Sequence, residues 1–310
     1  MEKLKVIFMG TPEFAVASLS ALSEVAEVIL VVTQPDRPRG RGQKLQPSPV
    51  KVFAEKKSLP ILQPQKIKSP EVVAELKKFP ADVIVVVAFG QILSQEILDL
   101  PKFGAINVHA SLLPKYRGAA PIEWSLINGE TVTGITTMQM DAGLDTGDIL
   151  LKTEVEISAE MILPELREKL QDAGAKLLVE TLQQIKNLKP VKQDNALSNY
   201  APMLTKDLGR IDWQKSAQEI HNLVRGLYGG AFTFLDGEKI KIWRTRLAET
   251  LQLEVGEIKI IGDKFFAGTG AGVLEVLEIQ APNAKKCQWQ TFCADTGTFQ
   301  ADLVKGSVGR

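Results

Sequence analysis

Three residue types in this chain could together do chemistry: the amide of Asn107, the imidazole of His109 and the carboxylate of Asp145. Residues Ala105 to His109 alternate apolar and polar positions, which predicts a strand, and side chains two apart on a strand share a face. Asn107 and His109 are therefore expected side by side at a strand's end, where the ligands of α/β sheets bind. The segment Asp141-Ala142-Gly143-Leu144-Asp145-Thr146-Gly147-Asp148 holds three acids and two glycines. A solvated or calcium-binding turn is the plain reading of such a segment. Here Gly143 and Gly147 flank Asp145 and free the backbone to bring it inward. An amide N–H, an imidazole and a carboxylate suffice for acyl transfer to an amine. The first stabilises an oxyanion, the second takes or holds a proton, and the third orients the imidazole. No serine or cysteine nucleophile is needed when the amine attacks directly. Ser111 lies in no G-x-S-x-G elbow.

Elements around these residues supply the frame. Lys5–Met9 predicts a buried strand ending at Gly10, followed by Thr11 as a helix cap and Pro12 at the first helical position. One glycine is not a G-x-G-x-x-G fingerprint, so Gly10 reads as a structural turn. Further strands are expected at 28–33, 82–88 and 134–140, with helices opening at Ser48-Pro49 and Ser69-Pro70 and spanning 120–128 and 163–185. The β-α-β alternation predicts an α/β fold with a doubly wound, mostly parallel, Rossmann-like sheet. Ser111-Leu112-Leu113-Pro114 leaves the central strand as a rigid, partly apolar loop. Phe89-Gly90-Gln91-Ile92-Leu93 forms an apolar loop on the same rim, suited to core packing or to a flat ring ligand. The segment 34–44 sets Arg37, Arg39, Arg41 and Lys44 against one acid, Asp36. Its prolines and glycines predict irregular structure, and its place beside the His109 rim favours an arm toward a phosphate backbone over a mobile solvated loop.

Length and composition bound the rest. A chain of 310 residues predicts two domains: 1–188 catalytic, 189–206 a polar linker, and 207–310 a smaller module. Past the linker, Ser216 and Glu219 form a capping box ahead of a helix, and His221 reads as structural or solvated. Short glycine-broken strands at 231–236, 238–244, 255–261 and 272–279 predict an OB-like β-barrel. Its 13 basic and 13 acidic residues balance, with Lys239 and Lys241 on a locally basic strand. The whole chain carries 37 basic and 37 acidic residues, so a polyanion must be met by local patches. Two cysteines, Cys287 and Cys293, and two distant histidines give no zinc spacing, and reduced thiols are expected. No apolar run approaches about 18 residues, and the start shows no signal-peptide pattern.

The motifs N-x-H at 107–109, S-L-L-P at 111–114 and D-x-G-x-D-T-G at 141–147 resemble the formyltransferases that use 10-formyltetrahydrofolate. Q-P-D-R-P-R-G-R-G-Q-K at 34–44, S-P-V-K at 48–51, the run on to Ile122 and I-D-W at 211–213 resemble the members acting on methionyl initiator tRNA. The resemblance implies a cytoplasmic, monomeric enzyme of translation initiation and one-carbon metabolism, with no metal and no membrane. Its partners would be methionyl-initiator-tRNA and the folate co-substrate. Asn107, His109 and Asp145 would be catalytic. Ser111, Leu112, Leu113 and Pro114 would hold the folate, with Phe89, Gly90, Gln91, Ile92, Leu93, Met140 and Asp141 walling the pterin pocket. Arg37, Arg39, Arg41 and Lys44 would enter the acceptor stem, and the C-terminal module, with Lys239 and Lys241, would bind along the tRNA. An amino sugar or purine precursor is the alternative acceptor; those reactions need no basic arm at 34–44. A hydrolase releasing formate and a noncatalytic RNA- or folate-binding module are further rivals. The chain departs from the family's usual text at Glu123, 160–164, Met203 and 226–230.

Overall fold

The run Val83–Val87 is buried at every position, which a strand achieves only when both faces of its sheet are covered. The computed structural model describes residues 3–288 except 40, 41, 43, 236, 249 and 283. Strands β1 (Lys5–Gly10), β2 (Glu27–Val32), β3 (Arg37–Arg39), β4 (Lys44–Gln46), β5 (Ile61–Leu62), β6 (Val83–Val87), β7 (Ala105–His109), β8 (Arg117–Gly118), β9 (Val132–Gln139) and β10 (Ile149–Glu156) come first in the chain. Seven of them form one sheet in the order β10-β9-β7-β6-β1-β2-β5. The pairs from β7 to β5 are parallel, whereas β9 runs antiparallel to both β7 and β10. Strand order reverses at β1 and β6, the place where such sheets bind ligands. Helices α1 (Phe14–Val25), α2 (Pro49–Lys56), α3 (Pro70–Leu76), α4 (Gln95–Leu98), α5 (Pro121–Ile127) and α6 (Leu163–Gln184) separate or follow these strands.

Alternate strand residues Ile7, Met9, Leu30, Val32, Ile84 and Val86 share one core with Val73 and Leu76 of α3 and Ile97 and Leu98 of α4. Gly10 is a close-packing glycine: a Cβ there would stand 2.7 Å from Phe8 and 2.9 Å from Ala15. Thr11 is not the expected cap. α1 begins at Phe14 without a side-chain cap, because the chain first turns through Pro12, whose carbonyl accepts from Ala15 N at 2.9 Å. The Thr11 hydroxyl instead donates to Phe89 O at 3.0 Å, tying the end of β1 to the loop after β6. Ser48 does cap α2, accepting from Lys51 N at 3.0 Å. The basic segment also departs from expectation. It forms an antiparallel ribbon, with Arg37 opposite Gln46 and Arg39 opposite Lys44, since an isolated edge tolerates Pro38.

The chain divides into two compact units, one of residues 1–119, 132–156 and 167–201, the other of 120–131, 157–166 and 202–310. In the stretch expected as a linker, β11 (Tyr200–Ala201) pairs in parallel with β8, inside the first unit. The second unit holds α5, α7 (Ala217–Leu227) and strands β12 (Phe232–Leu235), β13 (Glu238–Ala248), β14 (Ile258–Ile261), β15 (Lys264–Gly268), β16 (Val273–Gln280) and β17 (Cys287–Gln288). These strands pair antiparallel in the order β12-β13-β16-β15-β14, with β17 on β16. Among the described residues no ladder closes the sheet into the expected barrel. Ile220 and Val224 of α7 pack with Ile240, Ile242, Leu274 and Val276, and the capping box of Ser216 and Glu219 opens that helix as expected. Gly226 lets α7 approach α5, where a Cβ would lie 2.7 Å from Ile127.

Candidate active site

β7 carries Asn107 and His109 to the same side, as its period of two requires. Asp145 reaches them by a less obvious route. Because β9 is antiparallel, with His109 opposite Thr136 and Ile106 opposite Gln139, its loop departs beside the amino end of β7. Met140 N donates to Ala105 O at 2.8 Å there. The loop must then fold back to bring a carboxylate to Asn107. Gly147 permits this: a Cβ would stand 1.7 Å from Gln139 O. At Gly143 a Cβ would stand 2.0 Å from Thr146 Oγ1. Asp145 itself takes the left-handed conformation, φ 53°, uncommon outside glycine, asparagine and aspartate.

The three side chains converge. Asn107 Nδ2 donates to Asp145 Oδ1 at 3.3 Å, and Gly118 N donates to Asp145 Oδ2 at 2.8 Å. His109 Nδ1 faces Asp145 Oδ1 at 3.7 Å, too long for a hydrogen bond. The expected bond from Asp145 to the ring is therefore a close charge contact. The ring is held from its other side: Nε2 lies 2.9 Å from Tyr116 O. A carbonyl only accepts, so Nε2 carries the hydrogen, and in the neutral ring the lone pair is on Nδ1, toward Asp145. His109 is 6% and the Asp145 side chain 11% exposed, so both act in a largely dry setting. No spacing in the sequence points to the Tyr116 carbonyl, which supplies the ring's anchor. Tyr116 is also left-handed, φ 61°.

The residues expected around a flat ligand divide into support and surface. Ser111 and Leu113 are wholly buried. Ser111 Oγ donates to Lys115 O at 2.6 Å, and Thr136 Oγ1 fixes the loop by donating to Ser111 O at 2.7 Å and accepting from Leu113 N at 3.0 Å. Leu112 and Pro114 are half-buried, and the Leu113–Pro114 peptide is cis. In the other loop Phe89 and Leu93 belong to the core. Gln91 spans to the segment after β5, accepting from Ile67 N at 2.8 Å and donating to Pro64 O at 3.2 Å. Gly90 has φ 84°, and Ile92 is left 66% exposed. Met140 is half-buried. Asp141 turns its carboxylate inward to Gly143 N and Thr146 Oγ1, at 3.0 and 2.7 Å, and so shapes the Asp145 loop.

On the ribbon, Arg37 and Lys44 are exposed. Arg39 lies on β3, and Arg41 falls outside the described residues. The one acid, Asp36, is taken by Lys51 Nζ at 2.7 Å and Gln63 Nε2 at 2.8 Å. These hydrogen bonds, that from Gln63 foremost, hold its carboxyl below the usual range. The acid is thus answered from α2 and from the segment after β5, not from the ribbon residues Arg37 or Lys44. In the second unit Lys239 Nζ lies 3.5 Å from the Phe232 ring centroid and Lys241 Nζ 6.0 Å from that of Trp243. Among the described residues no group of three or more histidines, cysteines or acids could hold a metal, and no helix is long and apolar enough to cross a membrane. Cys293 lies outside the described residues, and Cys287 stands on β17, half-buried.

Residues 3–182 match the formyl transferase family and residues 203–296 the formyl transferase C-terminal domain. The chain belongs to the formyltransferase family. Relatives along nearly its full length are methionyl-tRNA formyltransferases. That of Geobacter metallireducens is 52% identical over 300 residues, covering 95% of this chain and 96% of the relative. That of Clostridium perfringens is 51% identical over 297 residues, covering 93% and 96%. Among solved structures, an N-formyltransferase from Helicobacter canadensis, in complex with folinic acid and dTDP-3-aminofucose, aligns with TM-score 0.66 and 21% identity. It covers 93% of this chain and 100% of that one; at that identity the likeness is one of fold.

Proposed function

We propose that this chain transfers a formyl group from 10-formyltetrahydrofolate to the α-amine of methionyl-initiator-tRNA. The observation that carries the reading is the convergence of Asn107, His109 and Asp145 in a chain about half identical, over its length, to methionyl-tRNA formyltransferases. Apolar side chains on the rim support a flat-ring donor there. Ile92 and Leu144 leave apolar side chains exposed on either loop, and Leu112 and Met140 are half-buried between core and surface. Bound there, the folate supplies the activated one-carbon unit.

The chain's residues do the rest. The attacking amine forms a bond to the formyl carbon, and the carbon's bond to the folate nitrogen breaks. A proton leaves the amine and one reaches the departing nitrogen, so the exchange is balanced without an oxidant or a protein ester. Asn107 has two amide hydrogens. One is spent on Asp145; the other meets the negative charge developing on the formyl oxygen, a role worth about 3 kcal/mol. His109 takes the amine proton at Nδ1, since Nε2 is committed to Tyr116 O. The resulting imidazolium then faces the Asp145 carboxylate. Holding both substrates in register contributes the larger share of the rate.

The basic ribbon, with Arg37, Arg39, Arg41 and Lys44, is assigned to the acceptor stem, and the module 207–310, with Lys239 and Lys241, to the body of the tRNA. A formyl-transfer assay with labelled donor tests the proposal, offering charged initiator tRNA, free methionine and amino sugars in turn. Transfer to charged tRNA alone is expected; transfer to a sugar amine at a comparable rate would overturn it.

A further inference from the structure

Segment 191–201 reads in the sequence as a polar connection, yet in the structure it fastens both backbone segments that hold His109 and Asp145. It enters beside β10, where Val191 and Ile149 exchange two backbone hydrogen bonds of 2.8 Å. The next contact is the Gln193 carboxamide. Its Nε2 donates to Asp145 O and to Gly147 O, each at 2.8 Å. Its Oε1 accepts from Arg117 Nε at 3.0 Å and Arg117 Nη2 at 2.8 Å. A primary amide has two hydrogens and two lone pairs, so all four are used, two on the acid's loop and two on the segment after the histidine. Asn199 does the same for the histidine's own anchor. Its Oδ1 accepts from Tyr116 N, and its carbonyl accepts from Arg117 N at 3.0 Å. β11 then continues the contact along β8.

The two residues so held are in unfavourable backbone states. Asp145 and Tyr116 both have positive φ, 53° and 61°. Such states cost free energy and persist only where surroundings over-determine them. Their geometry is what orients the chemistry: the Tyr116 carbonyl fixes His109 Nε2, and the Asp145 carboxylate meets Asn107, His109 and Gly118 N. Neither Gln193 nor Asn199 is placed to act on a substrate through these atoms, since every polar contact described for them is to this chain.

We propose that Gln193 and Asn199 are positioning residues for formyl transfer, holding the left-handed backbone at Asp145 and Tyr116 and thereby the carboxylate and the imidazole. The inference rests on His109 and Asp145 being catalytic, so its test carries that premise as a separate arm. The full-length protein is assayed with 10-formyltetrahydrofolate and charged initiator tRNA. Variants are Gln193→Ala, Gln193→Glu, Asn199→Ala, Asn199→Asp and, for the premise, His109→Ala. Each is read for kcat, KM for both substrates, the pH profile of kcat and the thermal midpoint. Gln193→Ala and Asn199→Ala should lose about 10–100-fold in kcat, the range for partners that orient a functional group, with each KM changed less than about threefold. Their pH profiles should shift, because the imidazole loses its fixed setting. Gln193→Glu keeps the acceptor for Arg117 but not the donor for the acid's loop, so it should resemble alanine. Asn199→Asp keeps the acceptor for Tyr116 N and should recover most of the loss.

Unchanged kcat and pH profile in both alanine variants, with His109→Ala inactive, would overturn the inference and leave the site reading intact. Losses confined to KM or to the thermal midpoint would overturn it too, as would failure of aspartate at 199 to restore activity. Full activity in His109→Ala would instead remove the premise. Should Gln193→Ala not fold, the alanine–aspartate pair at 199 still decides.

Discussion

The two histidines of this chain lie in different units and are both nearly buried, His109 at 6% and His221 at 3% exposed. They differ in what is left over. His221 has both ring nitrogens engaged, Nε2 with Ala159 O at 3.1 Å and Nδ1 with Thr245 Oγ1 at 3.0 Å. The carbonyl requires the hydrogen on Nε2, and the threonine hydroxyl then donates to Nδ1. That ring is fully satisfied and structural; of the two readings made from sequence, solvation is excluded. His109 has one nitrogen engaged and the other facing a carboxylate at 3.7 Å. The nitrogen that faces the carboxylate lies beyond hydrogen-bond distance of it, and is the one open to a substrate's proton. Burial therefore does not separate a working histidine from a packing one, whereas partner accounting does.

Substitution should sharpen the contrast most. His109→Ala is expected to lower turnover about 10²–10⁴-fold, and Asn107→Ala about 10²–10³-fold, with folate binding much less affected. His221→Gln should leave turnover near wild type and lower the thermal midpoint. Parallel kcat and unfolding measurements check both, and equal kcat losses at 109 and 221 would break the comparison. Next in size is Gly147→Ala, whose Cβ would stand 1.7 Å from Gln139 O. The loop must shift, and a displacement of about 1 Å can cost on the order of 10²-fold. Single-turnover rates, with circular dichroism to follow the fold, would show it.

Smaller effects follow from salt and pH. Arg37→Ala and Lys44→Ala should each reduce the salt slope of tRNA binding by about one and weaken binding without touching kcat. A titration of affinity against salt is the measurement. For pH, burial lowers the His221 pKa below its ordinary 6.5. The unfolded chain then takes up a proton near 6.5 that the folded chain refuses. The contribution is fully present above 6.5, declines as pH falls from there through the folded pKa, and stays lost below it. Denaturant unfolding at pH 7.5 and 5.5 should show this loss, and His221→Gln should flatten it.

Much of the site was legible because its signals are local. Asn107 and His109 announce themselves through a period of two, and Asp145 through the glycines that its loop needs. The basic segment was visible as charge, but not as a ribbon, because Pro38 and Gly40 argue against strands while an isolated edge admits them. β15 was missed because its five residues fall between glycines and carry no long alternation. What the sequence could not offer was anything depending on distant pairing. The direction of β9, the Tyr116 carbonyl on Nε2 and the four bonds of Gln193 join residues that no spacing rule connects. In the C-terminal module the alternation was readable, but closure into a barrel depends on ladders between distant strands.

The antiparallel run of β9 has one more effect. Asn107 sits opposite Met138 and His109 opposite Thr136, so the strand that bears the base and the strand that launches the acid's loop are rungs of one ladder. Twisting or breathing of the sheet carries both anchor points along together. The distance between imidazole and carboxylate is thereby set less by the flexing of the shared ladder than by the segments that anchor the two groups, residues 111–118, 140–148 and 191–201.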